Sequence, residues 1–211
     1  MQTTIVRLAV VLIFCSIGPS AVAEEITYLK AGQLFDSRSG KVTANAVVTI
    51  VADKIVDVGN SNTSIPEGAS VIDLSDSFVM PGLMDMHTHV VGNLDPYFFS
   101  GYFQSPHRKT IGGVVNAEKT LLAGFTTIRN VGASDYADVA VRTAINAGEI
   151  PGPRMAVSGP SLGITGGHCD RNTLNSSFEE RSDGVADGPW AVREQVRKNV
   201  KYDADLTKFC A

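Results

Sequence analysis

Asp85-Met86-His87-Thr88-His89 is the segment whose residue types and spacing best fit chemistry. In an extended strand side chains alternate, so His87 and His89 share a face with Asp85, while Met86 and Thr88 take the other. Two imidazoles two residues apart on one face can ligate a single cation, and imidazole suits zinc and its neighbours. Asp85, one level deeper, is placed to hold a ligand histidine through a hydrogen bond. The plain alternative is a pair of exposed strand histidines, because H-x-H alone is a weak motif. Context strengthens it: the motif ends a strand entered through Phe78-Val79-Met80-Pro81-Gly82.

Lys208 is the second candidate. It lies in Asp205-Leu206-Thr207-Lys208-Phe209-Cys210, which reads as a strand buried on both sides. A lysine there is costly unless neutralised or paired. Desolvation and neighbouring cations favour the free amine over the ammonium. A free amine can take up carbon dioxide as a carbamate, an anion with two oxygens that can bridge two metal ions. The alternative is a lysine whose head reaches solvent from the end of the chain.

The elements that must position these groups fall into two parts. Residues 24–80 read as a small β domain, expected as a β-sandwich. Its strands are Ile26–Leu29, Ala46–Val51, Ile55–Val58 and Val71–Leu74, with turn signals at Gly40, Asn60–Asn62 and Pro66–Gly68. From Pro81 to residue 211 strands alternate with helices. Strands are expected at Leu83–His89, Thr126–Val131, Arg154–Ser158 and Asp205–Cys210. Helices are expected at Lys109–Ala123, closed by Gly124, at Tyr136–Ala147, closed by Gly148, and from Pro189 to Tyr202. Alternation of this kind implies an α/β fold with parallel strands and crossover helices. The strand ends carrying His89 and Lys208 would then open on one side, where barrel active sites lie.

Composition bounds the rest. The chain has 211 residues and a formal net charge of −4, without a run of like charges. It therefore lacks the electrostatic footprint of a nucleic-acid or anionic-membrane binder. Residues 1–23 read as a signal peptide: Arg7, the apolar stretch Leu8–Ile17, then Ala21-Val22-Ala23 before Glu24-Glu25. The apolar stretch is shorter than the ~20 residues a membrane span needs. Phe14 stands where a lipoprotein anchor at Cys15 would want a small residue. Cleavage after Ala23 predicts a secreted or periplasmic chain without a membrane partner, and an oligomer is compatible with it. Cys169 and Cys210 would remain. An oxidising compartment permits a disulfide between them, but two separate buried thiols are the expectation here.

The run Val79–His89 resembles the first barrel strand of the amidohydrolase superfamily. Gly124-Phe125-Thr126-Thr127-Ile128-Arg129-Asn130-Val131-Gly132 resembles its second strand. Ile150–Arg154 and Ser158-Gly159 resemble the approach to and end of the third, Gly166-Gly167-His168 the loop that follows, and Tyr202–Lys208 the fourth. Taken in order these are most similar to the Xaa-Pro dipeptidase and imidazolonepropionase-like branch. The resemblance implies an incomplete TIM (β/α)8 barrel, its first four strands, because a closed barrel takes about 250 residues and eight strands. It implies a two-ion centre of zinc or another divalent metal, with His87 and His89 on one ion and Lys208 as a bridging carbamate. It also implies attack by metal-activated hydroxide on the carbonyl of a small amide or dipeptide. His168 becomes a candidate substrate contact, and a solvated loop histidine is the alternative. The ligand histidines and the aspartate that the family draws from later strands have no counterpart in this sequence. Two alternatives follow: a non-catalytic half-barrel that needs a complementary chain, and a simple metal-binding module built on H-x-H.

Overall fold

The structure, a computed structural model, describes residues 25–92 and 100–210, with Ser100 and Gly101 by backbone alone. The expected signal peptide, 1–23, lies outside the described residues. The chain divides into two compact units, one ending at Pro81 and the other starting at Gly82. No helix among the described residues is long and apolar enough to cross a membrane.

The first unit contains four strands: β1 (Ile26–Asp36), β2 (Lys41–Val51), β3 (Lys54–Gly59) and β4 (Ser70–Val79). Their order is β3-β2-β1-β4, with β1 antiparallel to β2, β2 antiparallel to β3, and β1 parallel to β4. β1 and β2 run longer than their apolar cores predict, and a turn explains the difference. Asp36 accepts hydrogen bonds from the Arg38 amide (2.9 Å) and the Ser39 hydroxyl (2.6 Å), while its carbonyl accepts from Gly40 N (2.8 Å). That turn sets the register, and the ladder then recruits residues such as Gln33, Thr43 and Ala44 that propensity alone would leave out. At the β1 irregularity Gly32 lies so close to the Ser75 carbonyl that a Cβ could not fit.

The expected β-sandwich is not confirmed: the described residues of this unit form one four-stranded sheet. A sandwich requires a second sheet packed face to face. Here Ala31, Ala46, Val47 and Val48 are buried, while Ile55, Val56, Val58, Ile72 and Phe78 are exposed.

The second unit contains β5 (Leu83–Thr88), α1 (Ser100–Phe103), α2 (Pro106–Leu122), β6 (Phe125–Asn130), α3 (Ala137–Asn146), β7 (Arg154–Val157) and α4 (Gly188–Lys201). The strands form a parallel sheet in the order β5-β6-β7, as alternation of strand and helix requires. The core gathers Val90, Val91, Ala117, Ile128, Ala137, Val141, Met155 and Val157. α2 begins before the expected Lys109. Ser105 caps it by accepting from Arg108 N (3.2 Å), and Pro106 occupies its first turn.

The fourth expected strand is a correction. Over Asp205–Cys210 pairing is reduced to a bridge between Leu162 and Phe209. Asp205 is the cause. Its amide donates to the Val157 carbonyl (2.8 Å) and its carboxylate accepts from Val157 N (2.9 Å). One residue thus saturates the end of β7, and the chain bends before it can pair further. The ladder resumes when Leu162 N donates to the Lys208 carbonyl (2.8 Å) and Cys210 N to the Leu162 carbonyl (2.9 Å).

The cysteines are a further correction. Cys169 and Cys210, expected as separate buried thiols, form a disulfide with Cα atoms 5.9 Å apart. The bridge at Leu162 brings the end of the chain under the loop after β7, a proximity invisible at a sequence separation of 41. Both residues are half-buried.

Candidate active site

The C-terminal end of β5 presents His87 and His89. Their ring centroids lie 5.6 Å apart with planes tilted by 58°, and both residues are exposed. Main-chain bonds fix the strand beneath them. Val131 N donates to the Thr88 carbonyl (2.9 Å), and the Arg129 guanidinium donates through Nε to the Met86 carbonyl (2.7 Å). Arg129 therefore pairs locally. Asp85 accepts from the backbone amide of His87 (2.9 Å), so its bond goes to the main chain of the histidine. The His89 ring leans on Gly132, with Nδ1 3.4 Å from the carbonyl. A cavity of about 290 Å³ is lined by His89, Lys109, Ser161, Cys169, Ser182 and Asp183, among others. A second, of about 570 Å³, joins Asp85, His87 and His89 to Asn116 and Lys119 of α2.

Behind this rim lies a set of buried polar side chains. Asn130 and Asp138 are both 0% exposed. Asn130 accepts from Val90 N (2.8 Å) and donates to Asp138 (3.0 Å) and the Gly132 carbonyl (3.3 Å). Asp138 also accepts from Gly159 N (3.1 Å) and Val139 N (2.9 Å). Burial pushes the Asp138 carboxyl above its ordinary value, and the bonds from Asn130, Gly159 and Val139 act against that rise. Asn199 of α4 accepts from Gln195 (2.9 Å) and from the Tyr136 hydroxyl (3.0 Å), and donates to the carbonyls of Pro160 (3.0 Å) and Ser158 (3.4 Å). Buried Arg142 ties the turn after α4 to α3 through Asp203 (2.9 Å) and Asp205 (2.7 Å). Asp203 adopts a left-handed φ of 70°. Asn, Asp and Gln at helical spacing look like a solvated face in a sequence, so only Asn130, inside a strand, offered a local signal.

Three of the five predicted site residues come together: Asp85, His87 and His89 line one cavity. Lys208 is half-buried on the Leu162 bridge and lines neither cavity described above. His168 is exposed in a turn of the loop after β7, next to Cys169, which lines the smaller cavity. Among the described residues no group of three or more His, Cys, Asp or Glu is placed to hold a metal ion. His87 and His89 are side by side on one open rim, and therefore fit part of a metal's coordination shell.

The chain resembles several known proteins. The chain is 32% identical to a Xaa-Pro dipeptidase whose crystal structure holds methionine in the active site; the match has a TM-score of 0.80 and covers 88% of this chain and 47% of that one. The crystal structure of Aspergillus niger ochratoxinase matches at 27% identity with a TM-score of 0.69, covering 88% of this chain and 46% of that chain. In sequence, ochratoxinase of Aspergillus niger is 30% identical over 207 residues, covering 89% of this chain and 42% of the relative. A 5-methylthioadenosine/S-adenosylhomocysteine deaminase of Bacillus thuringiensis is 36% identical over 69 residues, covering 32% of this chain and 16% of the relative. The chain thus spans less than half the length of these relatives. Residues 78–209 match the amidohydrolase family model, and on that match, with its parallel sheet and paired histidines, the chain belongs to the amidohydrolase family.

Proposed function

We propose that this chain supplies the first part of a metal-dependent amidohydrolase that cleaves the C–N bond of a small amide, with an Xaa-Pro dipeptide as the favoured substrate. The observation that carries the reading is the His87–His89 pair, rings 5.6 Å apart, at the C-terminal end of the first strand of a parallel sheet. His87 and His89 would hold a divalent ion, zinc or a neighbour, in a centre of two ions. Lys208, as its carbamate, would bridge the ions in the complete centre. A divalent ion would lower the pKa of a water and polarise the scissile carbonyl, allowing hydrolysis near neutral pH. This chain's own residues would orient the ligands and shape the cavity: Asp85 fixes the His87 backbone, Gly132 seats the His89 ring, and His168 contacts substrate from the loop after β7. The leader 1–23 would direct the protein out of the cytoplasm.

Metal analysis tests the reading. The purified chain, freed of metal and dialysed against zinc, should retain ion, and His87→Ala or His89→Ala should abolish retention. Equal zinc content in all three would overturn it. Hydrolysis of a panel of Xaa-Pro dipeptides and N-acyl amino acids then tests substrate class. A second reading, a half-barrel that needs a complementary chain, is favoured by the exposed Leu83, Met84 and Met86 of β5. A monodisperse monomer on size exclusion would remove it.

A further inference from the structure

We propose that Asn130, clamped by Asp138, is a positioning residue that fixes both the orientation and the tautomer of His89. Its consequence for metal binding rests on the reading of His89 as a ligand; the effect on the ring does not.

The argument starts from the hydrogen-bonding capacity of an amide. Asparagine offers one acceptor oxygen and two donor hydrogens. In Asn130 these are spent around His89. The oxygen accepts from Val90 N at 2.8 Å, the peptide that directly follows His89. The nitrogen donates to the Gly132 carbonyl at 3.3 Å, and that carbonyl lies 3.4 Å from His89 Nδ1. The main chain on one side of the histidine and the group its ring leans on are therefore held by a single side chain. A carbonyl can only accept, so His89 carries its proton on Nδ1 and leaves the Nε2 lone pair free. Asp138 keeps Asn130 from rotating: it accepts from Asn130 Nδ2 at 3.0 Å and is itself tied to Gly159 N at the end of β7. Both side chains are fully buried, where an unmet bond costs most.

Gly132 completes the seat. Its φ is +144°, and a Cβ there would stand 2.6 Å from Ser161 Oγ and 3.3 Å from His89 Cε1. His87 provides the contrast. Its backbone amide is bound by Asp85, but among the described residues its ring has no hydrogen-bond partner.

Ring nitrogen-15 NMR of the metal-free chain, at a pH well above the usual imidazole range, reads the claim directly. Wild-type His89 should show the Nδ1–H pattern, with His87 as internal control. Asn130→Ala should cost His89 that pattern and leave the His87 signals in place. Asp138→Asn, which preserves volume, should produce the same selective shift to a smaller degree, and carries the test if Asn130→Ala does not fold. An Nε2–H pattern for wild-type His89 would overturn the proposal. So would an unchanged His89 in a folded variant, or equal displacement of both histidines. Zinc affinity, measured in parallel, should fall about 10- to 100-fold in Asn130→Ala. A ring that shifts without a change in zinc affinity upholds the positioning claim and counts against the metal reading instead.

Discussion

The two sides of the second unit's sheet are built differently. On the β6–β7 side Ile128 and Val157 are 0% exposed, and Asn130 and Ser158 at the strand ends are equally buried. On the β5 side Leu83, Met84 and Met86 are exposed, Met84 by 70%. Both histidines belong to the open side, yet the bonds that hold His89 come from the buried one. The contrast shows how a parallel strand can carry exposed ligands: its register is set by a neighbour whose own side chains are fully committed.

Four experiments would break or sharpen this comparison. The largest effect should come from the disulfide, which ties the loop after β7 to the end of the chain. Cys169→Ser with Cys210→Ser should lower stability by about 3–4 kcal/mol on chain-entropy grounds, given a separation of 41 residues; denaturant unfolding with and without reductant measures it. Next, Ile128→Ala should cost about 3 kcal/mol, as for a buried aliphatic side chain whose cavity cannot collapse; a loss below 1 kcal/mol would mean the β6 side is not packed as described.

The third concerns pH. Asp170 accepts from the amides of Gly166 (2.9 Å), Ser182 (3.0 Å) and Arg171 (2.8 Å), which hold its carboxyl below the usual carboxylate value. The folded value lies below the unfolded one, so this stability is present above the ordinary carboxylate range and is lost as the pH falls through the depressed value. Asp138 has the opposite sign, because its carboxyl is raised, and its contribution weakens as pH rises. Thermal melts across the acid range should therefore show a shallower acid-side loss for Asp170→Asn than for wild type. The smallest effect belongs to the open side. Met84→Thr should change stability by no more than about 0.5 kcal/mol, and a larger loss would mean that something covers β5 in solution.

Much of this was legible in the chain. The alternation of Leu83–His89, Thr126–Val131 and Arg154–Ser158 with three helical stretches predicts the parallel sheet, and Gly124 and Gly148 mark helix ends at φ of 95° and 72°. H-x-H in a strand predicts neighbouring imidazoles, as found. The polar residues behind them were not legible. Asp138, Arg142 and Asn199 sit at helical spacing, where charged and amide side chains ordinarily face water, and only packing α3 and α4 against the sheet buries them.

The sequence by itself determined the local matters. Strand and helix follow from the period of apolar residues, and the shared face of His87 and His89 follows from the two-residue alternation of an extended chain. Tertiary structure decided what depends on residues far apart. Asp205 ends β7 with its own side chain and so shortens the fourth strand, Cys169 meets Cys210, and Asn130 reaches both the peptide after His89 and the carbonyl under its ring. Periodicity is encoded within a few residues, whereas these contacts require the chain to return to a given place with ångström accuracy, and only the packed fold specifies that.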